Sequence, residues 1–271
     1  MLGAIIGDIA GSRFEFHNRK TKGFELFHPD CRFTDDTVMT LAVAAALMDQ
    51  EGELEDRFVR HMQRLGRAYP DAGYGGRFYY WSFAEDPAPY NSWGNGSAMR
   101  VSPCGEIARS LGDAASLSRK SAAVTHDHPE GIRGAEAAAT AIFLARSGRS
   151  KEEIREHIKR YYYDIDFGGS FTLDEIRPGY EFDVSCQGSV PQALEAFFES
   201  DSLEDTIRNA VSLGGDSDTI AAIAGGVAES YYGLDRDLAD QAMEYLPEEL
   251  KQIVSQWYAD TLVIGSEPMY N

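Results

Sequence analysis

Apolar residues recur at three- and four-residue spacing along most of this 271-residue chain. Such spacing places them on one face of an α-helix, whereas a half-buried strand would need strict alternation. Strand-like alternation is confined to the short run 182–185. The sequence therefore predicts an all-α fold, with helices in residues 38–48, 54–65, 98–111, 132–145, 154–163, 190–198, 203–211, 220–232 and 250–262.

The chain contains no internal repeat, no low-complexity tract and no linker-like change in composition. We therefore expect one domain over residues 1–271, built around a single substantial core. Two long segments, 69–96 and 164–189, lie between the helical patterns and are rich in glycine, aromatic and polar residues. Loops of such length in a compact domain are usually functional or locally structured.

The net charge of −19 excludes some classes of partner. Proteins that bind bare nucleic acid or an anionic membrane surface carry a basic footprint, which this composition lacks. The longest apolar runs, 38–48 and 220–227, fall short of a membrane span. We therefore expect neither a nucleic-acid nor a membrane partner, while the excess of acids leaves room for a site filled by cations.

Three cysteines, Cys31, Cys104 and Cys186, stand far apart without CxxC spacing. An odd, scattered set predicts reduced thiols, not a disulfide framework or a zinc site. The N-terminal residues have no basic region and reach an acid at Asp8, unlike a signal peptide. We expect a cytoplasmic protein that is a monomer.

The run RFTDDTVMT, residues 32–40, places two adjacent acids between threonines at the start of a helical pattern. Thr34, Asp35 and Asp36 could cap that helix, because their oxygens accept hydrogen bonds from the free N–H groups of a first turn. Their negative charge also suits the positive end of the helix dipole. On this run alone, capping is a simpler interpretation than cation binding.

The run SLGGDSDTIAAIAGG repeats this arrangement far along the chain. Asp216, Asp218 and Thr219 offer three side-chain oxygens where one would cap the helix. If the two helix starts face each other, four carboxylates converge, and their mutual repulsion would destabilise the fold. Hard cations such as Mg²⁺ or Mn²⁺ take oxygen-only ligands, and four carboxylates suit two ions. A shared metal site is then favoured over capping.

Two glycine-containing runs could add groups to such a site. In GDIAGSRFE, Gly11 permits close helix packing and Glu15 follows one turn later on roughly the same face, a weak pattern by itself. In WGNGSAMRVSP, residues 94–96 form a turn before a helix that we expect to start near Ser97. Such a turn presents backbone N–H groups to an anion, above all a phosphate, although a plain loop fits it equally well.

The run THDHPEG, residues 125–131, contains two histidines that could contact a ligand, His126 and His128. A His-Asp pair also occurs in HD-type phosphohydrolases, which are all-α and metal-dependent. That family needs further histidine ligands upstream, and His61 is alone on its helical segment, so this interpretation is disfavoured. Pro129 is expected to open the next helix at its first turn.

Taken in chain order, GDIAGSRFE, FTDDT, GNGSAMR, THDHPEG, CQGSVPQAL and GGDSDTIAAIAGG resemble the motifs of the ADP-ribosylglycohydrolase family. The resemblance spans nearly the whole chain, and its first and last motifs together are highly specific. It implies a single-domain orthogonal bundle of α-helices around a binuclear Mg²⁺ or Mn²⁺ centre in a cleft. The metal ligands of the family fall on Thr34, Asp35, Asp36, Asp216, Asp218 and Thr219.

The resemblance also assigns residues to catalysis and to the substrate. Glu15 matches an acidic residue that lies over the cleft and is tied to catalysis. His126 matches a ligand-contacting histidine, with His128 competing for that role. The run DFGGSF before Thr172 looks longer than in bacterial relatives, so that loop is expected to differ in shape. Contacts to the diphosphate and the distal ribose fall on Asn95, Gly96, Ser97 and Met99.

The reaction implied is cleavage of the N- or O-glycosidic bond between the distal ribose of ADP-ribose and an acceptor, through an oxocarbenium-like transition state. Two metal ions would bind ribose hydroxyls and orient a water molecule. Glu15, Asp35 or Asp216 would act as acid or base. Two alternatives stay open: a non-catalytic ADP-ribose-binding or crystallin-like relative, and a metal-dependent phosphoester hydrolase. Acceptor choice is expected to lie in the two long segments.

Overall fold

The computed structural model describes the backbone of residues 1–264 and the side chains of residues 1–260, so the last residues of the predicted domain, 265–271, lie outside the described range. Within that range β pairing is limited to the isolated bridges Gly94–Ser185 and Phe167–Phe171. The prediction of an all-α fold is therefore confirmed. A 3₁₀ turn covers Asn95–Ser97, and the α-helices, numbered in chain order, are α1 (Leu2–Gly11), α2 (Asp35–Met48), α3 (Leu54–Ala68), α4 (Gly76–Phe83), α5 (Ser102–Ile107), α6 (Leu111–Ala123), α7 (Pro129–Arg146), α8 (Lys151–Tyr161), α9 (Leu173–Ile176), α10 (Cys186–Phe198), α11 (Leu203–Leu213), α12 (Ser217–Tyr232), α13 (Arg236–Glu244) and α14 (Glu248–Ile264).

Several helix starts follow local signals in the sequence. Ser150 and Glu153 form a reciprocal capping box at the start of α8. Pro129 lies in the first turn of α7, as predicted, where its missing N–H costs no hydrogen bond. His128 caps the same helix, since its Nδ1 accepts a hydrogen bond from the Glu130 N–H over 3.1 Å. Side chains near in sequence therefore set these boundaries.

The helix α12 occupies the centre of the fold and packs against α1, α7, α10 and α11. It meets α1 backbone to backbone: a Cβ added to Gly7 would lie 2.1 Å from the Ala221 carbonyl oxygen. A Cβ added to Gly11 would lie 2.5 Å from the Cα of Asp218. Because glycine permits this approach, the end of α1 lies directly beside the first turn of α12.

A continuous hydrophobic core holds the start of α2 close to that junction. Its largest fully buried side chains include Phe58 of α3, Phe197 of α10 and Trp257 of α14. Each such burial contributes about 1.5–3 kcal/mol. The helix α2 packs against α1, α3, α5 and α14. Core packing, and not a loop, therefore fixes the acidic starts of α2 and α12 relative to each other.

The predicted helix over residues 98–111 is wrong. The helix α5 covers only Ser102–Ile107, and α6 begins separately at Leu111. Pro103 lies in the first turn of α5 and has no N–H, so a continuous helix over 98–111 would lack the hydrogen bond from residue 103 to the Met99 carbonyl oxygen. Ser110 then caps α6 by accepting a hydrogen bond from the Asp113 N–H. The helix expected to start near Ser97 is likewise a 3₁₀ turn followed by a break.

The strand-like run 182–185 is not a strand, since only Ser185 forms an isolated bridge, to Gly94. The two long segments are partly helical, because α4 lies in the first and α9 in the second. The helix α1 gave no periodic signal because it is buried on every side and has no polar face. The short or polar helices α4, α6, α9 and α13 were also not predicted.

The three cysteines are buried and form no disulfide, as predicted. Burial raises the pKa of the Cys186 thiol to about 12, so this thiol is protonated at neutral pH. Within residues 1–264, no helix combines the length and apolarity needed to cross a bilayer.

Candidate metal centre

The first acidic cluster lies at the start of α2. Thr34 precedes the helix, and its Oγ1 accepts a hydrogen bond from the Asp36 backbone N–H over 3.3 Å. The same hydroxyl donates to Asp8 Oδ1 over 2.7 Å. Asp36 is buried, and Asp35 lines a cleft beside it. Thr34 therefore supplies the cap, which leaves the two adjacent carboxylates available for another role.

The second acidic cluster lies at the start of α12. Asp216 occupies the N-cap position but makes no capping hydrogen bond; its Oδ2 accepts instead from Asn95 Nδ2 over 2.7 Å. Asp218, in the first turn, is buried. Thr219 Oγ1 donates to Asp36 Oδ2 over 3.2 Å. The two helix starts therefore face each other.

Carboxylate oxygens from three parts of the chain converge at this junction. Among the described residues, two groups of carboxylates have ligand atoms that all lie within 4.8 Å of one another: Asp8 with Asp36 and Asp218, and Glu15 with Asp216 and Asp218. Asp218 belongs to both groups, so it joins them into one acidic site. Asp35 belongs to neither group, although it lines the same cleft.

Burial and mutual repulsion disfavour the charged form of these carboxylates. Burial, followed by the charge of Asp8, holds the pKa of Asp36 well above its usual range. Burial and then Asp216 do the same for the pKa of Asp218. The pKa of the half-buried Glu15 is raised to about 7, by burial first and by Asp216 next. A bound cation would remove this penalty by supplying the missing opposite charge.

The donor set fits a hard divalent cation. Asp36 Oδ1 and Asp218 Oδ1 are buried without a hydrogen-bond partner among the described residues. A buried carboxylate oxygen left unpaired is costly, and it needs a cation or a donor to offset that cost. Carboxylate and threonine oxygens are the ligands that Mg²⁺ and related ions take. The arrangement therefore suits metal binding better than helix capping.

Asp8, which the sequence motifs do not assign to the site, anchors the start of α2 to α1. This fully buried carboxylate accepts hydrogen bonds from the Thr34 N–H (2.9 Å), the Thr34 hydroxyl (2.7 Å), the Thr37 N–H (3.1 Å) and the Thr37 hydroxyl. Its only signal in the sequence is a single acid inside the otherwise apolar helix LGAIIGDIAG. Asp8 thereby fixes the backbone that carries Asp35 and Asp36.

The carboxylates open into a cleft with a volume of about 420 Å³. Most predicted site residues lie on its wall, together with apolar rings such as Phe78, Tyr90 and Phe182. Ser97 is an exception: its buried hydroxyl donates to the Gly131 carbonyl oxygen over 2.7 Å and supports the turn from behind. Thr34 lies behind Asp36. The predicted residues on the wall are Glu15, Asp35, Asp36, Asn95, Gly96, Met99, His126, Asp216, Asp218 and Thr219.

The two candidate histidines have different surroundings. His126 is buried on the cleft wall, and its Nδ1 lies 2.6 Å from the Thr125 hydroxyl. Burial, and next the charge of Arg100, hold the pKa of His126 well below its usual range, so the ring is neutral at physiological pH. His128 is engaged in capping α7. The structure therefore places His126, and not His128, beside the cleft.

The sequence matches a known family over nearly its whole length. The family model described as ADP-ribosylglycohydrolase matches residues 1–267. Human ADP-ribosylhydrolase ARH3 is 28% identical over 87% of this chain and 85% of its own. The ADP-ribosylarginine hydrolase Tri1 of Pseudomonas putida (strain GB-1) is 29% identical over 86% of this chain and 70% of its own. The ADP-ribosyl-[dinitrogen reductase] glycohydrolase of Rhodospirillum rubrum is 25% identical over 86% of this chain and 84% of its own.

The fold gives the same answer as the sequence. A solved structure described as an ADP-ribosylglycohydrolase-related protein complex superposes with a TM-score of 0.65 at 26% identity. The superposition covers 96% of this chain and 97% of the other. The acidic helix starts meet in this helical fold, and the family match runs almost from end to end. The chain belongs to the ADP-ribosylglycohydrolase family.

Proposed function

We propose that this protein is a metal-dependent hydrolase that cleaves the glycosidic bond between the distal ribose of ADP-ribose and an acceptor, releasing ADP-ribose. The observation that carries the proposal is the meeting of buried carboxylates at the cleft, two of which keep an unpaired oxygen. Membership of the family supports it. So do the printed names of the relatives, which describe hydrolases of ADP-ribosyl groups.

The proposed cofactor is a pair of Mg²⁺ or Mn²⁺ ions. When bound, such ions supply positive charge that orders ribose hydroxyls and lowers the pKa of a water molecule. The chain contributes the negative charge that holds them, and Asp8 keeps the start of α2 in place. The proposed ligands are Thr34, Asp35, Asp36, Asp216, Asp218 and Thr219.

Glu15 is the proposed acid–base residue, with Asp35 and Asp216 as the other candidates. It lies on the cleft wall, and one of its oxygens lies within 4.8 Å of ligand atoms of Asp216 and Asp218. Burial, the first cause of its raised pKa, does not depend on the charges that a bound cation would offset, and a carboxyl group with a raised pKa can both accept and return a proton at neutral pH. Glu15 would take the proton of the attacking water or deliver one to the departing acceptor.

The segment after Gly94 is proposed to contact the diphosphate and the distal ribose. Gly96 and Met99 lie on the wall of the cleft beside His126. The side chain of Asn95 is already hydrogen-bonded within the protein, since its amide donates to Ser189 Oγ over 2.9 Å and to Asp216 Oδ2. Asn95 therefore orients Asp216, and Gly96, Met99 and His126 are the residues proposed to contact the ligand directly.

The test is an assay of ADP-ribose release from a panel of defined linkages, to arginine, serine, a nucleobase, a nucleotide and a free metabolite. Each substrate is tested with Mg²⁺ and again with a chelator. Release from at least one linkage that needs the metal supports the proposal. Binding of ADP-ribose without release from any linkage would indicate a non-catalytic binder. Turnover of phosphoesters alone would indicate a phosphoester hydrolase. The monomeric state and the cytoplasmic location stay predictions.

A further inference from the structure

Arg100 is a buried cation on the cleft wall that the proposed reaction does not use. Its side chain is 1% exposed, and none of the ion pairs formed by residues 1–260 involves it. Burial lowers the pKa of the guanidinium to about 10, so the group stays charged at neutral pH. A buried charge without a counter-ion is costly, which calls for an explanation of its place beside the cleft.

A chain of hydrogen bonds leads from Arg100 to the cleft. Arg100 Nη2 donates to the Ser121 carbonyl oxygen over 2.7 Å and to Thr125 Oγ1 over 2.9 Å. Thr125 is fully buried, and its Oγ1 lies 2.6 Å from His126 Nδ1. The buried cation is thus connected through one hydroxyl to the imidazole ring on the cleft wall.

The single proton of the Thr125 hydroxyl decides the tautomer of His126. That proton has two acceptors within reach, His126 Nδ1 at 2.6 Å and the Ala122 carbonyl oxygen at 3.4 Å. A hydroxyl that accepts a hydrogen bond from a cation becomes a stronger donor and a weaker acceptor. The short contact is therefore donated by Thr125 to Nδ1. In a neutral ring whose Nδ1 accepts, the proton lies on Nε2.

The Nε2 edge of His126 faces the turn that lines the cleft. A Cβ added to Gly96 would lie 3.3 Å from Nε2, and one added to Gly94 would lie 3.6 Å from it. Among residues 1–260, His126 makes its side-chain hydrogen bond through Nδ1 and none through Nε2. An N–H at Nε2 is therefore available to a group bound in the cleft.

We propose that Arg100 is a positioning residue that acts through Thr125 to keep the proton of His126 on Nε2, so that the cleft presents a neutral N–H donor to an anionic oxygen of its ligand. The opposite tautomer would present a lone pair at Nε2 and repel that oxygen. Identifying the oxygen as one of the ADP-ribose diphosphate rests on the proposed function. The placement of the proton does not.

The test combines nitrogen-15 NMR of the His126 ring with binding of ADP-ribose, in wild type and in two variants at Thr125. Wild type should show Nδ1 as an acceptor nitrogen and Nε2 as a protonated one. Thr125→Val keeps the shape but removes the hydroxyl, so part of the population should carry the proton on Nδ1. Its affinity for ADP-ribose should fall roughly 3- to 10-fold, the scale of one hydrogen bond. Thr125→Ser is the matched control and should retain both properties.

Three results would overturn the proposal. The first is a wild-type ring with its proton on Nδ1. The second is a tautomer that Thr125→Val leaves unchanged. The third is a changed tautomer with unaltered ADP-ribose affinity, which would remove the role in ligand contact. If wild type does not bind ADP-ribose at all, the proposed function fails, and the NMR results alone decide the proposal. Arg100→Gln, which removes the cation, should shift the tautomer in the same direction as Thr125→Val, and an unchanged tautomer in that variant would overturn the role of Arg100. Thr125→Ala replaces the valine variant if that one does not fold.

Discussion

Thr219 Oγ1 donates a hydrogen bond to Asp36 Oδ2 over 3.2 Å, and this contact joins the first turns of two helices that lie 183 residues apart in sequence. Both residues are buried. The other oxygen of Asp36 has no hydrogen-bond partner among the described residues. One oxygen of this carboxylate is thus held in place by the opposite helix, while the other is left for a cation.

Metal binding should raise the melting temperature of the protein. An ion that binds only the folded state adds about 2.7 kcal/mol of stability at a concentration 100 times its dissociation constant. Asp218→Asn should lose most of this rise in a titration with Mg²⁺ or Mn²⁺. Without metal the variant should be at least as stable as wild type, because it removes a buried carboxyl group whose ionisation the fold disfavours. Asp113→Asn is the control, since the half-buried Asp113 lies in the first turn of α6, outside the acidic site, and accepts a hydrogen bond from the Arg109 N–H that asparagine can also accept. If neither the two ions nor a chelator changes the melting temperature of the wild-type protein, this prediction is wrong.

Replacing Glu15 by glutamine should slow the chemical step and little else. The substitution keeps the size and most hydrogen bonding of the side chain but removes its ionisable group. We expect normal folding, retained metal, ADP-ribose affinity within a few-fold, and turnover reduced on the order of 100-fold or more. Single-turnover release of ADP-ribose at saturating Mg²⁺ measures this step. Glu25→Gln, at an exposed position, should behave as wild type. Equal rates in Glu15→Gln and wild type would shift the acid–base work to Asp35 or Asp216.

Asp8→Asn should destabilise the protein through the start of α2. An amide accepts hydrogen bonds on only one of its two ends: an oxygen at the Oδ2 position keeps the Thr34 and Thr37 N–H donors, but the NH₂ group then faces the Thr34 hydroxyl, which now donates to Oδ1. We expect a loss of about 1–3 kcal/mol in the free energy of unfolding, measured by urea denaturation without metal. Asp235→Asn is the matched control, because Asp235 caps α13 at the surface and asparagine caps equally well. A similar loss in both variants would contradict the anchoring role of Asp8.

The second long segment should loosen as the pH rises through about 8. Glu195 Oε1 accepts a hydrogen bond from the Gly168 N–H over 3.1 Å. Burial, then a hydrogen bond and repulsion with Glu199, raise the pKa of Glu195 to about 8. Because the pKa is higher in the folded state, the neutral carboxyl stabilises the fold below the ordinary glutamate range, and this contribution is lost as the pH rises through about 8.

Hydrogen exchange of peptides from residues 164–177 measures this loosening, after correction for the intrinsic effect of pH. Protection should fall between pH 5 and pH 8 in wild type and level off above that range, while a peptide from α7 should stay protected. Glu195→Gln cannot ionise and should show no such fall. A wild-type segment whose protection is constant over this range would refute the prediction.

The sequence predicted the fold class and the segments of the site because both leave local signals. Helical periodicity marked most of the long helices, and two acids with a threonine at a helix start marked α2 and α12. Asp216 illustrates why acids at these two helix starts indicate a site and not only helix capping. It occupies an N-cap position but makes no capping bond, so its residue type reflects the site and not the helix.

What the sequence did not predict depends on contacts between distant residues. The role of Asp8 follows from the packing of α1 against the start of α2, where its carboxylate meets the backbone N–H groups of Thr34 and Thr37. The orientation of Ser97 follows from the packing of α7 and α10 around the turn, where its hydroxyl meets Gly131 and Cys186. Choosing His126 over His128 required knowing which ring caps α7. None of these contacts has a fixed spacing along the chain.

Anomalous diffraction from crystals grown with Mn²⁺ tests most directly whether the meeting helix starts form a metal centre. We predict anomalous peaks between the first turns of α2 and α12, within about 2 Å of carboxylate oxygens of Asp36 and Asp218. The peak nearest Asp218 should disappear in crystals of Asp218→Asn. An empty junction at saturating Mn²⁺, or peaks only at other acidic surfaces, would contradict the metal centre and the hydrolase mechanism built on it.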